Sequence, residues 1–186
     1  MIAQEQTKIL ANKYQTTELN TRREYFQHLF LSYFYQQSQA SGMYLKGGTA
    51  LRIIYQSPRF SEDLDFSTTL QDTKTIEKTI LQTVGAIGKE DIRTNLREAK
   101  QTSGGYLASI PFAAFGQTIV ILLHISLREV DARGEIVTIA NDFIPSYIVT
   151  RLSQEQLVDE KIQARISPEA VFYPGSCCNQ RKLVGS

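Results

Sequence analysis

The sequence predicts an α+β domain with a largely antiparallel sheet and flanking helices. Three observations carry that expectation. Two helical patterns open the chain. A strand–helix–strand unit is centred on Gly47-Gly48. From Ile92 to about Val149 the pattern changes to strands, and helix returns after Ser153.

The elements follow in order. Ile2 to Tyr14 reads as a short helix. Thr17 to Ala40 reads as a longer one, with Leu19, Phe26, Leu29, Phe30, Tyr33 and Phe34 as an apolar stripe and Asn20, Arg22, Arg23 and Glu24 on another face. Ser41-Gly42 ends it. Met43-Tyr44-Leu45 is a short strand, Gly47-Gly48 a turn, and Thr49 to Tyr55 a helix stopped by Ser57-Pro58. Leu64-Asp65-Phe66 alternates as a half-buried strand does. Asp72 is the N-cap of a helix whose apolar side is Ile76, Ile80, Leu81, Val84 and Ile87. Ile92–Ala99, Tyr106–Phe112, Thr118–Leu127 and Ile144–Thr150 are strands, with a hairpin signal at Ser103-Gly104-Gly105. Ser153 and Gln156 mark the start of the last helix.

Length and composition bound the class. A chain of 186 residues with 42% apolar content suits one cored domain. Twenty basic and nineteen acidic residues give a net charge of +1, so nothing marks a protein that coats nucleic acid. Two basic groups stand out, Arg22 and Arg23 with Lys13, and Arg93, Arg97 and Lys100. Cys177 and Cys178 are adjacent, a poor geometry for a disulfide and too few thiols for a zinc site. With no signal peptide and no apolar run of about 20 residues, the chain reads as cytoplasmic and not as a membrane protein.

The chemistry concentrates in two stretches, Lys46-Gly47-Gly48-Thr49-Ala50-Leu51-Arg52 and Arg59-Phe60-Ser61-Glu62-Asp63-Leu64-Asp65-Phe66. Residues two apart in a strand share a face, so Asp63 and Asp65 project together while Leu64 and Phe66 turn to the core. Two such carboxylates suit Mg2+, whose shell is completed by phosphate oxygens and water. Gly47 and Gly48 lack side chains, so backbone N–H groups approach a phosphate closely, and the helix after them adds its positive end. Thr49, Arg52, Arg59 and Ser61 are positioned to contact the phosphates or brace the acids. The pattern is not a P-loop, because Gly-x-x-x-x-Gly-Lys-Ser/Thr is absent.

At these residues the sequence resembles the AbiEii/AbiGii toxin family of nucleotidyltransferases, which includes the MenT toxins and belongs to the polymerase-β-like superfamily. Leu127-Arg128-Glu129 and Leu157-Val158-Asp159-Glu160-Lys161-Ile162-Gln163-Ala164 are weaker matches, so the resemblance covers Tyr44 to Ala164. It implies a polymerase-β-like fold with a mixed sheet, Mg2+-dependent use of a nucleoside triphosphate, and a cognate antitoxin as partner. The acceptor it implies is RNA, including the tRNA 3′ end. It casts Asp63 and Asp65 as metal-binding and catalytic, Lys161 as catalytic, and Gly48, Thr49 and Arg52 as phosphate contacts; with Lys46, Gly47, Arg59 and Ser61 these make up the expected nucleotide and phosphate site.

Two departures qualify it. His124 stands where relatives carry a third acidic residue, with Glu129 as a possible substitute. After Ala164 the family's helical continuation is replaced by an irregular tail, as truncation or a frameshift would produce. The expected organisation is a nucleotidyltransferase domain over 1–165, comprising N-terminal helices (1–40) and a catalytic core (41–165), followed by the tail, 166–186. Two alternatives stay open: an inactive relative that only binds nucleotide or antitoxin, and an enzyme that modifies a small molecule such as an antibiotic.

Overall fold

The computed structural model describes residues 2–102, 104–114, 116–127 and 133–166; the side chains of Glu160, Lys161 and residues 163–166 lie outside that description. The chain divides into two compact units, Met1–Ser153 and Gln154–Ser186. The second contributes one described element, helix α5 (Gln154–Ile166).

In the first unit, helices α1 (Gln4–Lys13) and α2 (Glu18–Phe34) precede strand β1 (Met43–Lys46), helix α3 (Gly47–Tyr55), strand β2 (Asp63–Thr68) and helix α4 (Thr73–Gly88). Then come β3 (Arg93–Thr94), β4 (Glu98–Thr102), β5 (Gly105–Ala114), β6 (Gln117–Leu127), β7 (Gly134–Ile139) and β8 (Tyr147–Leu152). Among the described residues the eight strands form one sheet in the order β3-β5-β6-β2-β1-β8-β7, with β4 also on β5. The β2–β6 and β1–β8 pairings are parallel and the others antiparallel, so the sheet is mixed and mostly antiparallel.

One face of this sheet carries the core. Leu64 and Phe66 of β2 and Ile121 and Leu123 of β6 are fully buried there. Helix α2 covers them with Phe26, Phe30 and Phe34; Phe26 stacks on Phe112 at 4.6 Å and Phe34 meets Phe66 at 5.3 Å. Helix α4 adds Ile76, Ile80 and Ile87, each fully buried. Asp72 caps α4 by accepting from the Lys74 and Thr75 amides, as its position predicted. Leu19 and Leu81 leave their expected stripes and are exposed.

Several boundaries differ from the sequence reading. Helix α2 stops at Phe34, and a 3₁₀ turn (Ser38–Gly42) delivers the chain to β1. The Tyr35 hydroxyl secures this turn, lying 2.8 Å from the carbonyl oxygens of both Met43 and Thr150. The single strand expected over Ile92–Ala99 splits into β3 and β4, because both pair with β5 and the Arg97 amide donates to the Ser109 carbonyl between them. Strand β8 begins at Tyr147 instead of Ile144, since the Asn141 side chain accepts from the Phe143 and Ile144 amides and holds that stretch as a turn. Strand β7 has no counterpart in the prediction; it is an edge strand with most of its residues exposed, so it lacks alternation.

Candidate active site

The site begins where β1 becomes α3. Lys46 is extended (φ −143°, ψ −165°), and Gly47 follows with φ +75°, a left-handed conformation that favours glycine. The helix starts at Gly47, two residues earlier than expected, so both glycines belong to its first turn. The N–H groups of a first turn have no partner inside the helix.

Gly47 is needed for close approach to the acidic strand and Gly48 for close approach to the loop that leads into it. A Cβ on Gly47 would fall 2.1 Å from Oδ2 of Asp65, and one on Gly48 would fall 2.8 Å from Oγ of Ser61. The Asp65 carboxylate therefore rests against the opening turn of α3. Register agrees: β1 and β2 pair Lys46 with Asp65, and β2 and β6 pair Asp65 with His124. Directly paired residues share a sheet face, so the three form a row. Lys46 is buried within it.

Asp63 and Asp65 lie on the face opposite Leu64 and Phe66, each half-buried. Burial pushes the Asp63 carboxyl above the ordinary aspartate value; the His124 charge opposes this and the Asp65 charge adds to it. Nδ1 of His124 lies 3.4 Å from Oδ1 of Asp65. That contact holds the imidazole above the usual histidine value, against the opposing effect of burial.

The donor chemistry fits a hard dication. Two carboxylates on one face, with the Asp63 carboxyl raised by burial and by the Asp65 charge, are relieved by divalent charge, and magnesium takes a few carboxylates plus phosphate and water oxygens. Among the described residues no group of three His, Cys, Asp or Glu side chains is arranged to hold a metal ion. Asp63 and Asp65 would each supply a carboxylate oxygen to the dication.

Other residues act underneath. The Thr49 hydroxyl is fully buried and donates to the Asp63 carbonyl, tying α3 to the acidic strand. Arg52 does not reach toward the acids. Its Nε and Nη2 donate to Glu24 (2.7 and 3.2 Å), its Nη1 donates to the Ser57 carbonyl (2.8 Å), and its guanidinium lies 4.1 Å from the Phe60 ring centre. It braces the loop that leads to β2. Arg59 is exposed on that loop. Lys161 lies on α5 in the second unit, its side chain outside the described residues, as are Arg128 and Glu129.

Helix α2 supplies parts that the spacing did not reveal. Gln27 donates to the carbonyls of Ser61 (3.0 Å) and Glu62 (3.1 Å), Arg23 pairs with Glu62 (2.9 Å), and buried Glu24 holds Arg52. The only signal was a polar residue, Gln27, set among the aromatic residues of α2. The first basic group also resolves differently: Lys13 pairs with Asp142 and Arg22 with Glu18, so each charge has an acidic neighbour.

The family described as nucleotidyl transferase AbiEii toxin, of type IV toxin–antitoxin systems, matches residues 29–175 of this chain. The chain belongs to the AbiEii family. Its fold agrees with two solved Helicobacter pylori structures. JHP933 is 22% identical with a TM-score of 0.58, covering 82% of this chain and 60% of that one. A second protein, assigned as a nucleotidyltransferase, is 21% identical with a TM-score of 0.54, covering 78% of this chain and 59% of that one. This AbiEii chain thus spans about 60% of the length of either. No curated protein matches it.

Proposed function

We propose that this chain is a Mg2+-dependent nucleotidyltransferase that moves a nucleoside monophosphate from a nucleoside triphosphate to RNA such as tRNA. It acts as the toxin of a toxin–antitoxin or abortive-infection system in the cytoplasm, with a cognate antitoxin as partner. The observation that carries the reading is the contact between Asp65 and Gly47, which joins an acidic strand to a glycine-lined helix start. Family membership supports nucleotidyl transfer and an antitoxin. Among the described residues no helix is long and apolar enough to cross a membrane.

The roles follow from the chemistry. Backbone N–H groups of Gly47 and Gly48 hold the phosphate tail, aided by the positive end of α3. Lys46 and Ser61 border this cradle, and Arg59 reaches the nucleotide from the loop. Asp63 and Asp65 hold the dication, which polarises the phosphoryl group when bound. Thr49 and Arg52 set the acids' position and do not touch phosphate themselves.

The test is transfer from each α-labelled nucleoside triphosphate to total RNA with Mg2+, comparing wild type with Asp65→Ala. Labelling by wild type alone is expected. Equal labelling by both proteins removes the catalytic assignment, and nucleotide binding without any turnover makes the chain a binding relative.

A further inference from the structure

The acids' face of the sheet extends well beyond the acids. The row Lys46–Asp65–His124 continues through Leu107 of β5 to Lys100 of β4. A second row runs from Asp63 through Leu122 and Ser109 to Glu98. Arg93 pairs with Ala113, which alternation along β5 puts on the same face as Leu107 and Ser109. Leu122, beside Asp63, is 39% exposed.

Strand order gives this face a direction. Helix α3 leaves the end of β1, so the glycine cradle lies on the β1 side of the acids, and β6, β5 and β4 lie on the other. In phosphoryl transfer the attacking and leaving oxygens are roughly in line. With the phosphate tail held on the β1 side, the attacking hydroxyl comes from over β6. Its oxygen bonds to the α-phosphorus, and the bond from that phosphorus to the bridging oxygen breaks. Pyrophosphate leaves with the electron pair, and the hydroxyl proton passes to water. The body of the acceptor then extends over β5 toward β4, about 14 Å from the acidic strand at ~4.8 Å per strand.

We infer that this surface is the acceptor track, taking a single RNA strand whose terminal hydroxyl enters over Leu122 and His124 and whose phosphates reach Arg93 and Lys100 at the sheet edge. The inference rests on the nucleotidyl-transfer reading above. Charge selects the occupant. Lys13, Arg22, Arg23, Arg52 and Arg151 all sit in ion pairs, whereas Arg93 and Lys100 are exposed and make no salt bridge among the described residues. Lysine on an edge strand also blunts sheet-to-sheet pairing, a role that needs no RNA.

The test uses the full chain and a fluorescein-labelled single-stranded RNA, followed by anisotropy without nucleotide. Arg93→Glu/Lys100→Glu is expected to weaken binding at least 10-fold at low salt. It should also flatten the log–log salt dependence by about 1.4, two lost phosphate contacts at ~0.7 each. Glu98→Lys is expected to tighten binding. Nucleoside triphosphate binding, titrated separately by calorimetry, stays unchanged in both variants. RNA affinity unmoved by the double charge reversal overturns the track, as does transfer to a small molecule by a protein that binds no RNA. Loss of triphosphate binding by wild type would instead remove the nucleotidyl-transfer reading.

Discussion

Gly47 and Asp65 share one space: the aspartate's Oδ2 sits 2.1 Å from where a Gly47 side chain would begin. A substitution at Gly47 meets two barriers, the carboxylate and a φ of +75°. Gly47→Ala is expected to cost about 1–3 kcal/mol for the backbone alone. By displacing Asp65 it should lower transfer by roughly 100-fold. Gly48 meets only the Ser61 side chain. Gly48→Ala should therefore be rescued by Ser61→Gly, whereas Gly47→Ala stays strained by its φ even when paired with Asp65→Gly; urea unfolding of the two single and two double variants checks the contrast.

Arg52 yields a prediction that separates bracing from phosphate binding. Glu24 and Arg52 are a buried, bidentate pair; burial pushes the Glu24 carboxyl up and Arg52 pulls it back. Removing one partner, as in Arg52→Met, is expected to cost about 3–5 kcal/mol by stranding a buried charge. Arg52→Met/Glu24→Met should recover most of that and bind nucleoside triphosphate within a few-fold of wild type. A double variant that is stable yet has lost nucleotide affinity would return Arg52 to the phosphate site.

Local sequence places the acids but not the partner of Arg52. The Asp63–Phe66 alternation and the Gly-Gly at a helix start are local, so the strand, the acids' shared face and their link to the cradle were legible. What Arg52 does was not, because its partner is 28 residues away on α2, and a helix stripe does not tell a solvated glutamate from a buried one. Gln27 was hidden for the same reason. Register exposed the His124 row, since which residue of β6 stands level with Asp65 depends on a parallel pairing that no local pattern encodes. Strand β7 was missed because an exposed edge strand needs no alternation.

His124 links the site to pH. Its pKa is raised above 6.5 in the folded chain, chiefly by the hydrogen bond to Asp65. A raised histidine pKa stabilises the fold fully below the unfolded value, near 6.5, and that stabilisation is lost as pH rises through the folded value. The contribution is expected to be under about 1 kcal/mol for this partly exposed pair. His124→Asn should erase that portion of the pH dependence in thermal unfolding. Mg2+ at Asp65 should lower the imidazole pKa, read from the ring proton shift in NMR. An imidazole titration indifferent to Mg2+ would mean that the cation does not sit beside Asp65.

Gln27 offers the sharpest separation of positioning from stability. Its amide holds two successive carbonyls, Ser61 and Glu62, immediately before Asp63. Gln27→Met keeps the volume and removes both hydrogen bonds, at about 1 kcal/mol each. The freed segment leads straight into the acids, while the backbone N–H groups of Gly47 and Gly48 are held by β1 and α3, so Ser61 is the one part of the cradle that it disturbs. The expected result is a fall in kcat with nucleotide KM nearly constant. Leu29→Ala, which opens a cavity in the same helix, should cost about 2–5 kcal/mol and leave kcat near wild type at temperatures where the protein stays folded. If both variants lose kcat in proportion to their lost stability, Gln27 supports the fold and does not aim the acids.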